Sequence, residues 1–277
     1  MSGSSHGRRG DPPPAPEPLP TPVADAHTHL YIAAQDDPAG AIAAARAVGV
    51  DRVVEVGCDV PSSRGAAALA AAYPEVLAAV AVHPNDAPGL ADLPAALAEI
   101  DALAAHPRVR AVGETGLDRF RTSDDGRAAQ EESFRAHIAI AKRHGKPLMI
   151  HDRDAHGDIL RVLESEGAPE TVVFHCFSGD VELARHCAER GWYASFAGNV
   201  TFKNAHDLRA AAAVLPAGLV LVETDAPYLT PMPYRGRPNS PYLVPLTVRA
   251  LAGVRDEPVD ELCAALSANA DRVFGGW

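Results

Sequence analysis

Aromatic residues make up only 5% of the 277-residue chain, which leaves little for a platform on which the bases of a long single strand could stack. Lysine is nearly absent. Lys142, Lys146 and Lys203 are the only three, and arginine supplies the remaining basic residues. Acidic residues outnumber basic ones 36 to 25, a formal net charge of −11. A polyanion therefore meets net repulsion and needs a local basic groove. The four cysteines, Cys58, Cys176, Cys187 and Cys263, are scattered with no CxxC pair, which argues against a zinc ribbon and against a disulfide framework, so they read as buried thiols. No apolar run approaches the roughly 20 residues of a membrane-spanning helix, and no membrane association is expected. Arg8-Arg9 are followed by Gly10 and prolines, where a secretory signal would place its apolar region, so the expected location is cytoplasmic. What is present, 47% hydrophobic and 22% charged residues, is ordinary globular composition with ample material for a core.

Residues 1–22 hold seven prolines and few aliphatic residues, a composition that does not compensate the entropy of ordering, and they are expected to be a disordered tail outside the fold. From Val23 onward, β-branched runs at 23–26, 52–57, 77–82, 109–113, 147–150, 171–174, 192–196 and 219–223 read as strands. Helical spacing fills 38–48, 64–73, 91–105, 127–144, 155–166, 180–190 and 203–213, and 242–253 and 258–271 close the chain. Eight rounds of alternation predict a parallel sheet, and their length suits a closed (β/α)₈ barrel over 23–277 better than the alternative, an open doubly wound sheet. Residues 226–245 form the one long Pro/Gly-rich loop, the kind that serves as a lid or binding surface.

Polar residues able to bind metal collect at the predicted strand ends, which in a parallel barrel open onto one face. His27 and His29 follow strand one, two residues apart, so both rings point to one side of an extended segment. Asp25 could orient one of the rings. Glu114, between glycines in Val112-Gly-Glu-Thr-Gly-Leu-Asp118, can offer one oxygen to each of two cations. His151 and His175 end consecutive apolar runs, and Asp225, after Leu219-Val-Leu-Val222, could hold a metal and take a proton from water. Glu223 lies on the same side as Asp225 and takes a supporting role. His83 has no predicted partner and is placed in the substrate pocket, with Arg153, Arg235 and Arg237 as candidate anion clamps. The remaining histidines, His6, His106, His137, His144, His156, His186 and His206, fall in the tail, in helices or beside them and are not expected to be ligands. Mixed nitrogen and oxygen ligation suits Zn²⁺, Mn²⁺, Fe²⁺ or Mg²⁺, and the ligand set exceeds one tetrahedral shell, which favours two adjacent ions over one.

Over residues 23–275 the ordered motifs Asp25-Ala-His27-Thr-His29, His83-Pro84, Gly113-Glu-Thr-Gly-Leu-Asp118, His151-Asp-Arg-Asp-Ala155, His175-Cys-Phe-Ser-Gly179 and Glu223-Thr-Asp-Ala-Pro-Tyr-Leu229 resemble the TatD-like metal-dependent deoxyribonucleases. The resemblance implies a (β/α)₈ barrel, a site for one or two divalent ions (Mg²⁺, Mn²⁺ or Zn²⁺), and phosphodiester hydrolysis, commonly as a DNA exonuclease. By position it implies that His27, His29, Glu114 and Asp225 hold one ion and Glu114, His151 and His175 the other. Catalysis falls to Asp225 and Glu114. The lid reads Arg235-Gly-Arg237-Pro-Asn-Ser-Pro241, with Ser240 where relatives carry glutamate. DNA, short or bound by an end, is the expected partner, and no obligate protein partner is inferred. An amidohydrolase-type enzyme acting on amides, lactones or small phosphoesters is the alternative. Many of its two-metal members bridge the ions with a carboxylated lysine, and no lysine stands at the end of strand four.

Overall fold

Strands that follow one another in sequence pair side by side in space, all parallel, in the order β1 to β8 of one eight-stranded sheet. The computed structural model describes residues 10–277. The strands are β1 (Val23–Thr28), β2 (Val50–Val56), β3 (Val76–Val80), β4 (Val109–Asp118), β5 (Leu148–Arg153), β6 (Val172–Phe174), β7 (Tyr193–Phe196) and β8 (Val220–Val222). Between them run α1 (Leu30–Ala33), α2 (Pro38–Ala47), α3 (Val60–Ala72), α4 (Leu93–Ala104), α5 (Arg127–His144), α6 (His156–Glu166), α7 (Val181–Arg190) and α8 (His206–Val214), with α9 (Val244–Arg255) and α10 (Val259–Phe274) at the end. The sheet curls until β8 meets β1: Asp225 N donates to His27 O at 2.9 Å and His29 N to Ala226 O at 2.9 Å. The fold is the (β/α)₈ barrel, and the open-sheet alternative is set aside. No helix among the described residues is long and apolar enough to cross a membrane.

Part of the acidic excess has a structural use. Asp37, Asp59, Asp92 and Asp180 each accept a backbone N–H at a helix start, satisfying donors that have no intrahelical partner. The cap at Asp59, with Ser62 answering it, starts α3 at Val60, four residues ahead of the sequence expectation.

Strand residues alternate between two cores. Val76, Ala78, Leu148, Ile150, Val172 and Phe174 pack outward under the helices. Leu77, Ala79, Met149, Val173 and Leu221 pack together as the interior cluster, joined by Phe274 of α10. Continuing the inward face by two residues from Met149, Val173 and Leu221 leads to His151, His175 and Glu223. The interior therefore changes from apolar to polar in one step, and that step is the floor of the candidate site.

Residues 11–22 depart from expectation. The stretch lies against the barrel, with Leu19 only 7% exposed and its N–H donated to Val48 O at 3.0 Å. Proline has no N–H to offer a partner strand, so its neighbours' carbonyls need outside donors. Here they are Tyr242 on Pro13 O (2.7 Å), Arg249 on Pro18 O (3.0 Å) and Arg237 on Asp11 O (2.8 Å) and Pro12 O (3.0 Å). Composition alone undervalued one well-placed leucine and a set of donors distant in sequence. The first nine residues of the expected tail, His6 included, lie outside the described residues.

Candidate metal centre

Glu114 is the hub. It lies within β4, which runs to Asp118 rather than ending at 113. Its backbone is brought close to β5 by two glycines: a Cβ on Gly113 (φ 156°) would strike Met149, and one on Gly116 (φ 140°) would strike the His151 carbonyl. Only glycine permits that approach at those angles. The carboxylate is buried, 4% exposed, and its two oxygens face different groups. Oε1 lies 3.6 Å from His27 Nε2 and 3.5 Å from His29 Nε2, with Asp225 Oδ1 3.8 and 3.5 Å from the same two nitrogens. Oε2 lies 2.8 Å from His175 Nε2, 3.2 Å from His151 Nδ1 and 3.6 Å from His83 Nε2.

The outer nitrogens explain which inner ones are free. His29 Nδ1 donates to Val56 O at 2.9 Å, His175 Nδ1 to Glu223 Oε1 at 3.2 Å, and His151 Nε2 faces Asp118 Oδ2 at 3.2 Å. His27 Nδ1 lies 3.1 Å from Met149 Sδ, a weak acceptor. In each ring the outward nitrogen has its own partner, so the nitrogen facing Glu114 is the one that a metal ion would take in place of a proton. His27 Nε2 and His29 Nε2 stand only 3.3 Å apart. At that distance the two nitrogens share either a proton or a cation between them. His83 is different: its Nδ1 accepts the Asn85 N–H at 3.0 Å, so Nε2 carries the proton. Burial lowers its pKa to about 4, leaving a neutral ring aimed at the centre, where it lies close to Glu114 and His151 as a third group able to hold an ion.

Electrostatics agree with a site built for cations. Burial works against charge at His29 and His175, yet Cys58 and Asp225 beside His29, and Glu114 and Glu223 beside His175, outweigh it and hold both rings well above the usual imidazole range. Burial would likewise raise Glu114, but His175 and the hydrogen bonds from His151 and His175 hold it well below the carboxylate range. His27 goes the other way, lowered by burial and by His175, whose ring stacks on it at 3.9 Å. The donor set is able to hold metal ions, with His27, His29 and Glu114 forming one compact trio.

Two supporting roles come out differently. Glu223 is fully buried and bonded to the His175 ring and to Cys176 N at 2.9 Å. Asp25 orients no ring; it accepts from Thr224 N (2.9 Å), Thr224 Oγ1 (2.5 Å) and His27 N (3.3 Å), sewing β8 to β1. The reason is a register irregularity between Asp25 and Thr28, which breaks the simple alternation from 25 to 29. Burial pushes the Asp25 pKa up to about 8.

Of the anion clamps, Arg153 stacks 4.0 Å over Phe120 and Arg235 stacks 4.3 Å over Phe202. Arg237 is a correction: its guanidinium serves the carbonyls of Asp11 and Pro12, so it ties the lid to the N-terminal stretch. Asn239 anchors the lid from within, donating to Thr224 O at 2.9 Å and to Tyr228 O. Cysteine expectations hold for Cys187 and Cys263, whereas Cys58 and Cys176 are only partly buried. Cys58 Sγ donates to Glu114 Oε1 at 3.3 Å.

Sequence reasoning missed Asp118. This residue holds His151 Nε2, takes Asn85 Nδ2 at 2.9 Å and accepts the N–H groups of Phe120 (2.9 Å) and Arg121 (2.7 Å). Burial opposes its charge, but the bonds from His151 and Asn85 win and lower its pKa. Asp118→Asn keeps the shape and removes the charge behind the ring. We expect metal affinity to fall about 10- to 100-fold, the usual cost of losing a partner behind a ligating histidine, with the circular dichroism spectrum retained. A metal titration equal to wild type contradicts this role.

Strand-end histidines around a buried carboxylate in a (β/α)₈ barrel define a metal-dependent hydrolase. Residues 24–275 match the family described as TatD related DNase, and the chain belongs to that family. It is 50% identical over 238 residues to an uncharacterized metal-dependent hydrolase TatD of Mycobacterium tuberculosis, covering 84% of this chain and 89% of that one. To a protein named 3'-5' ssDNA/RNA exonuclease TatD, from Cronobacter turicensis, it is 38% identical, over 84% of this chain and 90% of that one. Among solved structures, the TatD homologue YjjV of Escherichia coli K12 superposes with a TM-score of 0.86 at 28% identity, covering 91% of this chain and 97% of that one.

Proposed function

We propose that this hydrolase cleaves phosphodiester bonds in DNA as an exonuclease working from strand ends. The observation that carries the reading is the division of Glu114: Oε1 faces His27, His29 and Asp225, and Oε2 faces His151 and His175. These would be the two ligand sets, with Glu114 between two divalent ions. Such ions supply Lewis-acid stabilisation to a phosphoryl oxygen and make water acidic enough to attack at neutral pH. Asp225 orients the attacking water and accepts its proton. His83 donates a hydrogen bond from Nε2 to the substrate, and Arg153 and Arg235 neutralise phosphate charge. The name of the C. turicensis relative supports nucleic acid as substrate, and the net charge of −11 favours contact with a few nucleotides near an end over a long duplex.

The test strips the protein of metal, restores Mg²⁺, Mn²⁺ or Zn²⁺ one at a time, and follows an end-labelled single-stranded oligonucleotide beside His151→Ala. Stepwise shortening that needs both metal and His151 is expected. Confirmed metal uptake without cleavage moves the substrate to amides, lactones or small phosphoesters.

A further inference from the structure

A cavity of about 370 Å³ opens between the loops that follow β6 and β7, walled by Ser178, Asp180, Asn199, Phe202, Asn204 and Asp207. It adjoins the metal centre: Asn199 Nδ2 lies 4.0 Å from Cys176 Sγ, and Cys176 directly follows His175. We propose that this cavity is a subsite for one unpaired nucleobase bearing an exocyclic amine, belonging to the nucleotide whose phosphate occupies the metal centre. The inference rests on the nuclease reading and adds the part of the substrate recognised beside the reacting bond.

Three features select that chemistry. Asp207 places a carboxylate on the wall, which repels phosphate and accepts from amines, and Asp180 adds negative charge beside it although one of its oxygens caps α7, while His156 on the same wall is already bonded to Asp152. Asn199 keeps Oδ1 buried without a hydrogen-bond partner, an acceptor whose desolvation a ligand N–H would offset. Phe202 supplies an aromatic wall, and the guanidinium of Arg235 stacked on it brings positive charge to the same edge for the adjoining phosphate. The volume sits near the lower end of ligand pockets, about 300–1,000 Å³, enough for one nucleoside and too little for a base pair with its backbones. Acid on the base side and metal-binding groups with arginine on the phosphate side sort the two halves of a nucleotide without a broad basic groove. That division reconciles a nucleic-acid substrate with the acidic chain.

Titration calorimetry on the metal-loaded protein compares deoxycytidine 5′-monophosphate with 2-deoxyribose 5-phosphate, which keeps the phosphate and lacks the base. The monophosphate should bind about tenfold more tightly, equivalent to about 1.4 kcal/mol, and Asn204→Ala/Asp207→Ala should erase the difference. Both replaced residues are exposed, and the wild-type comparison stands even if the double variant folds poorly. Equal affinity for the two ligands, or a preference that survives both substitutions, overturns the subsite. A base preference without cleavage of labelled DNA upholds the subsite and defeats the nuclease reading. Cleavage without a base preference does the reverse.

Discussion

Glu114→Gln should lower turnover by on the order of 10³-fold, the upper end of what removing one group that stabilises transition-state charge costs. The substitution is nearly isosteric, so the barrel should fold. Its effect comes from replacing one of two oxygens by an amide that donates. Whichever way the amide turns, one histidine set loses its carboxylate oxygen: His27 and His29 on one side, or His151 and His175 on the other. The charge that holds the site together also falls away, because Glu114 is the carboxylate that both sets share. Metal analysis of the purified variant should find fewer ions per chain than wild type. Steady-state rates within tenfold of wild type would show that Glu114 is not the shared ligand.

Asp225→Asn should act on a different step. Asp225 Oδ1 approaches His29 and His27 at 3.5 and 3.8 Å and is more exposed than Glu114, with 13% of its side chain open against 5%. It therefore stands where solvent enters, as a group that takes a proton from water must. Loss of a general base typically costs about 10²- to 10⁴-fold. The loss should appear in kcat far more than in KM, because asparagine still fills the space and can still coordinate weakly. Parallel changes in KM and metal affinity with kcat unchanged would make Asp225 a ligand only.

Alternation of side chains made much of this site legible. Met149 to His151, Val173 to His175 and Leu221 to Glu223 are each two residues on one face of a strand, so apolar runs ending in histidine or glutamate announced an inward-facing polar layer. Asp118 obeys the same rule, four residues beyond Glu114 on the same strand, which continues to Asp118 rather than ending at 113. Asp25 could not be read this way, since the irregularity in β1 shifts the pattern without any proline or glycine to mark it. Nor could the binding of residues 11–22 be foreseen. It depends on Leu19 meeting Val48 and on arginines and a tyrosine more than 200 positions away, and no local preference encodes such contacts. The same long-range pairing ties Arg237 to the N-terminal stretch, while Arg153 and Arg235 stack on Phe120 and Phe202.

Glu114 is proposed to stand between two ions. Anomalous diffraction from crystals of the wild-type protein soaked in Mn²⁺, recorded on both sides of the manganese absorption edge, tests it most directly. Two peaks should flank Glu114, roughly 3.5–4 Å apart as in two-metal hydrolytic sites, one beside His27, His29 and Asp225 and the other beside His151 and His175. A single peak held by only one of these sets, or peaks that do not touch Glu114, would contradict the account.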